Sequence, residues 1–419
     1  MAVRSEESNR RTEEEKERRS SEESGALAIL GRGNFQWLGT LQQVEFWTGL
    51  NRQDDLMESR PVLLVLFVIK LIWATSFDLD YGGVPLWINR FLGEPSVLSL
   101  RGRGDSSWYR AVNSESCPLE CDCPIQWPSA LYCDQRGLGS LPVGLPPRTQ
   151  YLFLQGNSMS GLPANAFANT TRLRWLFLDR NQLLSDQVPA MVWSNLSRLE
   201  NLFMNYNNLT EVPSGLPSGL KQLRLAYNQI GKIAPGSFKN LQNLTILLLQ
   251  GNRLKTIGRA DFTGLQSINL LDLSHNRLDL FPRHLPPSIQ QLYLSNNSLI
   301  GLSEDSLQGF HSLGHLRLSH NRLRSPNMAP AAFNVSTMVE LDLSYNQLTS
   351  IPVVPTTLLY LYLEANQIEE FNVTSLCRTV DPEDYSHMRI LRLDGNKLAP
   401  HQLPPDWVMC LRVLHNLYI

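Results

Sequence analysis

The chain is short of the features that would place it in most functional classes. Only 18% of its 419 residues are charged, and 37 Lys and Arg against 39 Asp and Glu leave a net charge of -2. Bulk attraction to nucleic acid or to an anionic membrane needs a basic excess, and there is none. None of the eight histidines precedes His275, and no H-E-x-x-H, G-x-S-x-G or P-loop pattern occurs. The sequence therefore points away from an enzyme, and no cofactor or metal is expected. Six cysteines are too few to hold so long a chain by themselves. The 42% of apolar residues nevertheless excludes wholesale disorder.

A long membrane-spanning run is also missing. The strongest apolar segment, PVLLVLFVIKLIWATS from Pro61 to Ser76, is interrupted by Lys70 and falls short of the roughly 20 residues that a transmembrane helix needs. It has instead the form of a secretory signal. Met57 and Arg60 precede it, and Ala74 and Ser76 supply the small residues before a cut at Phe77. Residues 57–76 are read as the signal peptide of a secreted protein with no stable membrane insertion. Residues 1–56 are read as a disordered gene-model extension, since Met1–Ser24 holds 14 charged residues and no long apolar side chain beyond Val3. Were they part of the protein, the apolar run would serve as a signal-anchor. Beyond residue 76 there are 27 basic and 27 acidic side chains, so partners must be met by local patterns.

What the sequence has in abundance is a repeat. LxxLxLxxNxL recurs with its asparagine at Asn157, Asn181, Asn207, Asn228, Asn252, Asn276, Asn297, Asn321, Asn346, Asn366 and Asn396. The two leucines of LxL point inward and the residue between them outward, so each copy gives one short strand to a parallel sheet. The asparagine sits where the chain leaves the strand, where its amide can satisfy backbone groups of its own turn and of the next. One unit cannot bury its leucine face alone, so neighbours supply the stability and both ends need caps. Units of 20 or 21 residues recur among longer ones, and their Pro-rich connections (Glu211–Leu220, Leu280–Ile289) exclude a helical return. The longer units carry Phe167, Phe238 and Phe262 six residues before the next strand's first inward side chain, filling a wider back. The expected fold is a leucine-rich repeat solenoid. It is a curved arc with a parallel β-sheet on the concave face, an irregular or short-helical convex side, and disulfide caps at both ends.

The cysteines bracket the array. Cys117, Cys121, Cys123 and Cys133 fall within 17 residues before it, while Cys377 and Cys410 flank the last full repeat. Zinc would want paired C-x2-C spacing with further Cys or His nearby, whereas a secreted chain with an even, clustered count reads as disulfides. Trp127 and Leu131 are expected to help seal the first repeat. Six cysteines allow 15 pairings.

The C-x3-C-x-C-x9-C cap, the rhythm of short and long repeats and the 30-residue step before the last repeat resemble the small leucine-rich proteoglycans, in the subfamily of fibromodulin, lumican and keratocan. KNLQNLTILLLQGNRL (Lys239–Leu254) leans the likeness towards fibromodulin. The resemblance implies Cys117–Cys123, Cys121–Cys133 and Cys377–Cys410 bonds. It implies an organisation of arm (77–116), N-terminal cap (117–148), repeats (149–398) and C-terminal cap (399–419). It also implies an extracellular matrix protein that binds fibrillar collagen and regulates fibril assembly and spacing.

Seven N-x-S/T sequons, at Asn169, Asn195, Asn208, Asn243, Asn296, Asn334 and Asn372, are candidate N-glycan acceptors, and the resemblance implies keratan sulfate on some. Between Phe77 and Ser116 no Ser-Gly pair offers a chondroitin site, Tyr81 is the one tyrosine in an acidic setting suited to sulfation, and Arg103-Gly104-Asp105 forms an integrin-type triplet. From first repeat to last the outward residue between the paired inward side chains reads Phe153, Phe177, Phe203, Arg224, Leu248, Asp272, Tyr293, Arg317, Asp342, Tyr362 and Arg392. So extended a face suits a rod-like or protein partner better than a small molecule. The alternative is that these side chains pack only on one another or on a second arc. Asp272, Arg317, Asp342 and Arg392 are the candidate collagen contacts, and growth factors or a second copy are further candidate partners. A different class, the ligand-binding ectodomain of a signalling or adhesion receptor, uses similar arcs.

Overall fold

The computed structural model describes residues 117–124, 127–378 and 385–419. Each repeat contributes one three-residue strand, as the LxL alternation dictates. The strands are β1 (Ala130–Tyr132), β2 (Tyr151–Phe153), β3 (Trp175–Phe177), β4 (Asn201–Phe203), β5 (Gln222–Arg224), β6 (Ile246–Leu248) and β7 (Leu270–Asp272). They continue as β8 (Gln291–Tyr293), β9 (His315–Arg317), β10 (Glu340–Asp342), β11 (Tyr360–Tyr362), β12 (Ile390–Arg392) and β13 (Asn416–Tyr418). These thirteen described strands form one parallel sheet in strict chain order. Their register is in line throughout, with Leu316 facing Leu341 and Leu341 facing Leu361. Two strands exceed the eleven repeat copies, because each cap adds one.

The central residue of each strand and the residue just past it are driven inward. Leu152, Leu154, Leu247, Leu249, Leu361 and Leu363 are all 0% exposed. On the back, Phe167, Phe238 and Phe333 fill the space that the longer connections leave, and the Phe238 and Phe262 rings stack at 5.9 Å. Strands in a sheet stand about 4.8 Å apart. The back is therefore spaced more widely than the front, which puts the sheet on the concave wall. The convex side carries turns and the short 3-10 helices Ser185–Gln187, Ala190–Trp193, Ser325–Asn327 and Val373–Ser375. The proline-rich connections carry no helix.

The asparagine ladder follows the repeat without exception. Asn252 Nδ2 donates to Leu249 O of its own turn and to Leu225 O of the preceding one, both at 2.9 Å, and its Oδ1 accepts Ile230 N at 3.0 Å. The same three bonds recur at both ends of the array. Asn157 bonds Cys133 O, Leu154 O and the N–H groups of Arg136 and Leu138, and Asn396 bonds Leu363 O, Leu393 O and Ile368 N. The N-terminal cap therefore presents itself to the first repeat as though it were a turn of the array.

Cys117 is bonded to Cys123, Cys121 to Cys133 and Cys377 to Cys410. Leu131 plugs the core at 1% exposed. Trp127 does not join it there: its ring lies 4.8 Å from that of Tyr151, with the outward aromatic side chains. At the other end α1 (Trp407–Cys410) turns the chain into β13. Among the described residues no helix is long and apolar enough to cross a membrane.

Candidate functional site

The first and third residues of each strand, and the residue two past the third, look outward, so three parallel columns cross the concave wall. In-line register converts each column into a stack with one side chain per turn. At the N-terminal end the third-residue column is a ladder of rings. Tyr132, Phe153, Phe177 and Phe203 follow one another at centroid spacings of 4.7, 4.6 and 4.6 Å, and the Arg224 guanidinium caps the series 4.7 Å above Phe203. That spacing is the strand separation itself. Trp127, Tyr151 and Trp175 run beside it, and Tyr151, Phe153, Trp175 and Phe203 are all buried.

The C-terminal half of the same wall is charged. Arg317 Nε donates to Glu340 Oε1 at 2.8 Å, His315 Nδ1 lies 3.1 Å from Glu340 Oε2, and the Arg317 guanidinium sits 4.8 Å over the Tyr293 ring. Burial opposes ionisation of Glu340, but Arg317 and then His315 outweigh it and hold the carboxyl below its ordinary range. Arg392 grips Asp394 through two bonds of 3.1 and 2.9 Å, reaches Glu364 Oε1 at 3.2 Å and lies 5.5 Å over Tyr418. The hydrogen bond from Arg392 keeps Asp394 low, whereas burial raises Glu364 despite Arg392.

The four candidate contacts all stand in the third-residue column, on β7, β9, β10 and β12. Asp342 is the register partner of Arg317, and Asp272 and Arg317 flank Tyr293 on β8. Asp272 is buried and accepts Ser274 N at 2.9 Å, while Asp342 Oδ1 accepts both Ser344 N and Ser344 Oγ. Arg317 is exposed, and Asp342 and Arg392 are half-buried. Alternation along one pattern had picked out this column alone. It missed His315 and Glu340 in the first-residue column and Glu364 and Asp394 beyond the strands. The period-two rule would have found them had it been run one residue further in both directions.

A further column runs along the rim. The residue before each repeat asparagine adopts the left-handed conformation, with φ of 53 or 54° at Arg180, Tyr206, Tyr227, His275, Asn296, His320, Tyr345 and Ala365. Tyr206 stacks on Tyr227 at 4.6 Å, and His320 on Tyr345 at 4.2 Å.

Of the seven sequons, Asn169, Asn195, Asn243, Asn334 and Asn372 are exposed, and Asn372 Oδ1 accepts Thr374 N and Thr374 Oγ1 within its own sequon. Asn208 and Asn296 are half-buried on the rim, bonded to Gln229 and His275. Tyr81 and Arg103–Asp105 lie outside the described residues. Among the described residues no cluster of three or more His, Cys, Asp or Glu suits a metal.

Comparison with known proteins agrees with this architecture. The Leucine rich repeat family matches residues 218–278 and 283–323, and the Leucine rich repeat N-terminal domain matches 116–146. Lumican of Homo sapiens is 44% identical over 306 residues, covering 73% of this chain and 90% of lumican. Keratocan of Bos taurus is 39% identical and covers 85% of this chain and 98% of its own. Fibromodulin of Bos taurus is 43% identical, covering 71% and 78%, so the lean towards fibromodulin is not singled out within the group. Among solved structures, a chain of an octameric complex of Latrophilin 3, Unc5D and FLRT2 (LRR) superposes with a TM-score of 0.58. It is 26% identical and covers 72% of this chain and 83% of that one.

Proposed function

The chain belongs to the small leucine-rich proteoglycans, in the group of lumican, keratocan and fibromodulin, and on that premise we propose that it is a secreted matrix glycoprotein that binds fibrillar collagen and limits lateral fibril growth. The role is one of binding rather than catalysis. In this reading residues 57–76 direct export, residues 77–116 form an arm, and glycans on the exposed sequons hydrate the molecule. One observation carries the reading: the in-line column of Asp272, Tyr293, Arg317, Asp342, Tyr362 and Arg392 over β7–β12. It offers alternating charge and aromatic surface at a repeat of about 5 Å per turn, which suits an elongated partner. Such a partner must draw Arg317 from Glu340 and Arg392 from Asp394, so geometry selects against weak or misaligned ligands. A carbohydrate-bearing arc on the fibril flank would then block further lateral addition.

The test is collagen fibril assembly followed by turbidity with the full secreted protein. Wild type should slow assembly and thin the fibrils, and Arg317→Glu with Arg392→Glu should abolish the effect. Unchanged assembly with wild type, or an undiminished effect in the double variant, would sink the reading.

A further inference from the structure

Although the mature chain is formally neutral, its charge is not evenly spread. From Val212 to Ala260, 49 consecutive residues contain seven Lys and Arg and no Asp or Glu. Two of the seven are engaged at the sheet: Lys221 with Glu200 at 3.2 Å, and Arg224 over Phe203. Lys232, Lys239, Arg253, Lys255 and Arg259 instead face solvent on the flank and back of the turns of β5 and β6, and Arg277 joins them from the next turn. None of these six has an ion-pair partner among the described residues.

The backbone lines them up. The residue after each repeat asparagine bonds to the preceding turn: Arg253 N to Ile230 O at 2.9 Å, Arg277 N to Leu254 O at 2.8 Å, Ser298 N to Leu278 O at 2.8 Å and Arg322 N to Leu299 O at 2.9 Å. Arg253, Arg277 and Arg322 therefore stand in one row over four turns, with Ser298 in the third place and three steps of the sheet repeat, roughly 15 Å, from end to end, and with Lys255 on the same flank. The exposed large apolar side chains stop at Met191 and resume at Leu280, so the stretch from Val212 to Arg277 has no such anchor, and Leu280 and Ile300 lie only beyond it. Protein interfaces centre on apolar or aromatic anchors, and membrane binding needs a buried apolar face. A stretch of unpaired cations without such an anchor suits a stiff chain bearing repeated anionic groups.

We propose that this flank is a second binding site, distinct from the concave wall, for a sulfated polysaccharide chain running along the turns of β5–β7. Attraction comes from release of condensed counterions, as in any contact between a cationic row and a linear polyanion. Arginine supplies forked donors for the sulfate oxygens. Asp279, exposed three residues past Asn276, is the carboxylate within the row and weakens the site. The site does not depend on the collagen reading, because it shares no residue with the column on the concave wall.

The experiment uses full-length secreted protein stripped of N-glycans, immobilised heparin, and a heparin oligosaccharide in solution. Wild type should be retained at physiological salt, and affinity should fall linearly on a log scale as salt rises. Arg253→Glu with Lys255→Glu should weaken binding about tenfold or more and flatten that slope. Asp279→Asn should strengthen binding, and Lys397→Glu, a reversal far along the array, should leave it nearly unchanged. Melting temperatures of the Arg253→Glu, Lys255→Glu and Asp279→Asn variants should match wild type, since those side chains are exposed and make no ion pair, whereas Lys397→Glu gives up a surface pair with Glu369 and should lower it slightly. Wild type passing through the column would overturn the proposal. So would a double variant eluting with wild type, or Lys397→Glu falling as far as the double variant.

Discussion

The ring of Tyr227 occupies the place where a side chain on Gly251 would begin. A Cβ at Gly251 would stand 2.4 Å from Tyr227 Cδ1, and Gly251 itself has φ of +70°. Glycine is thus required here twice over, by the ring of the preceding turn and by the left-handed backbone of its own. Elsewhere on the rim, tyrosine, histidine and arginine tolerate that backbone because the asparagine bonds over-determine it.

Gly251→Ala should lower stability by about 2 kcal/mol, part from contact and part from φ. In a double-mutant cycle with Tyr227→Ala, the contact part should vanish while about 1 kcal/mol remains. Denaturant midpoints measure both, and full additivity of the two changes would refute the contact.

Asn252→Leu removes bonds to Leu225 O, Leu249 O and Ile230 N together. Orphaned buried backbone groups should reduce stability by about 1–3 kcal/mol. Hydrogen exchange should show loss of protection on the turns of both β5 and β6, because the side chain serves two turns at once. Loss confined to one turn would contradict the ladder.

Asp179 should make stability fall as pH rises. The residue is half-buried, but its carboxyl is packed in, and that burial raises its pKa to about 6 even though Asn205 N donates to it at 2.7 Å and Arg224 and Arg180 lie near. A folded pKa above the unfolded value of 3.8 favours the protonated form. Its contribution is therefore fully present below about pH 4 and is lost as pH climbs through about 6. Asp179→Asn should stabilise the protein at pH 7 by about 1–2 kcal/mol, the full shift being discounted for partial solvent access. The gain should disappear below pH 4. Thermal melts at both values decide it, and an equal gain at each would refute the assignment.

Replacing Cys377 and Cys410 by serine should cost about 2–4 kcal/mol of stability. Their bond closes a loop of 33 residues around β12, and Ser386 N also donates to Cys410 O at 3.0 Å. Since turns contact mainly their neighbours, fraying should appear first in β12 and β13 and leave β5–β7 protected. Simultaneous loss along the whole array would indicate a single cooperative unit instead.

The repeat was the legible part of the sequence. Leucine spacing announced the strands and their inward faces, and the asparagines announced the turns, because each residue does one job dictated by its own chemistry. Trp127 was harder to place: an indole can seal a core or join a surface stack, and only the neighbouring Tyr151 decides between them. The ion pairs of Glu340 with Arg317 and His315 join residues 23 and 25 positions apart. No local pattern marks such pairs, because the lengths of the connections between strands set them. The left-handed rim was hidden for another reason. Only Gly156, Gly251, Gly395 and Asn296 look like turn residues there, while Tyr, His, Arg and Ala are held in place by bonds their neighbours make.

In-line register has a consequence for how such a molecule can change in length. No described strand is staggered against the next, and every rung meets the same carbonyls above and below. Cutting out the 24 residues from Arg253 to Asn276 would bring like against like and leave the remaining rungs matched. The design is modular in the manner of a ladder that can lose or gain a step, so its length is adjustable by whole units while both end-pieces stay as they are.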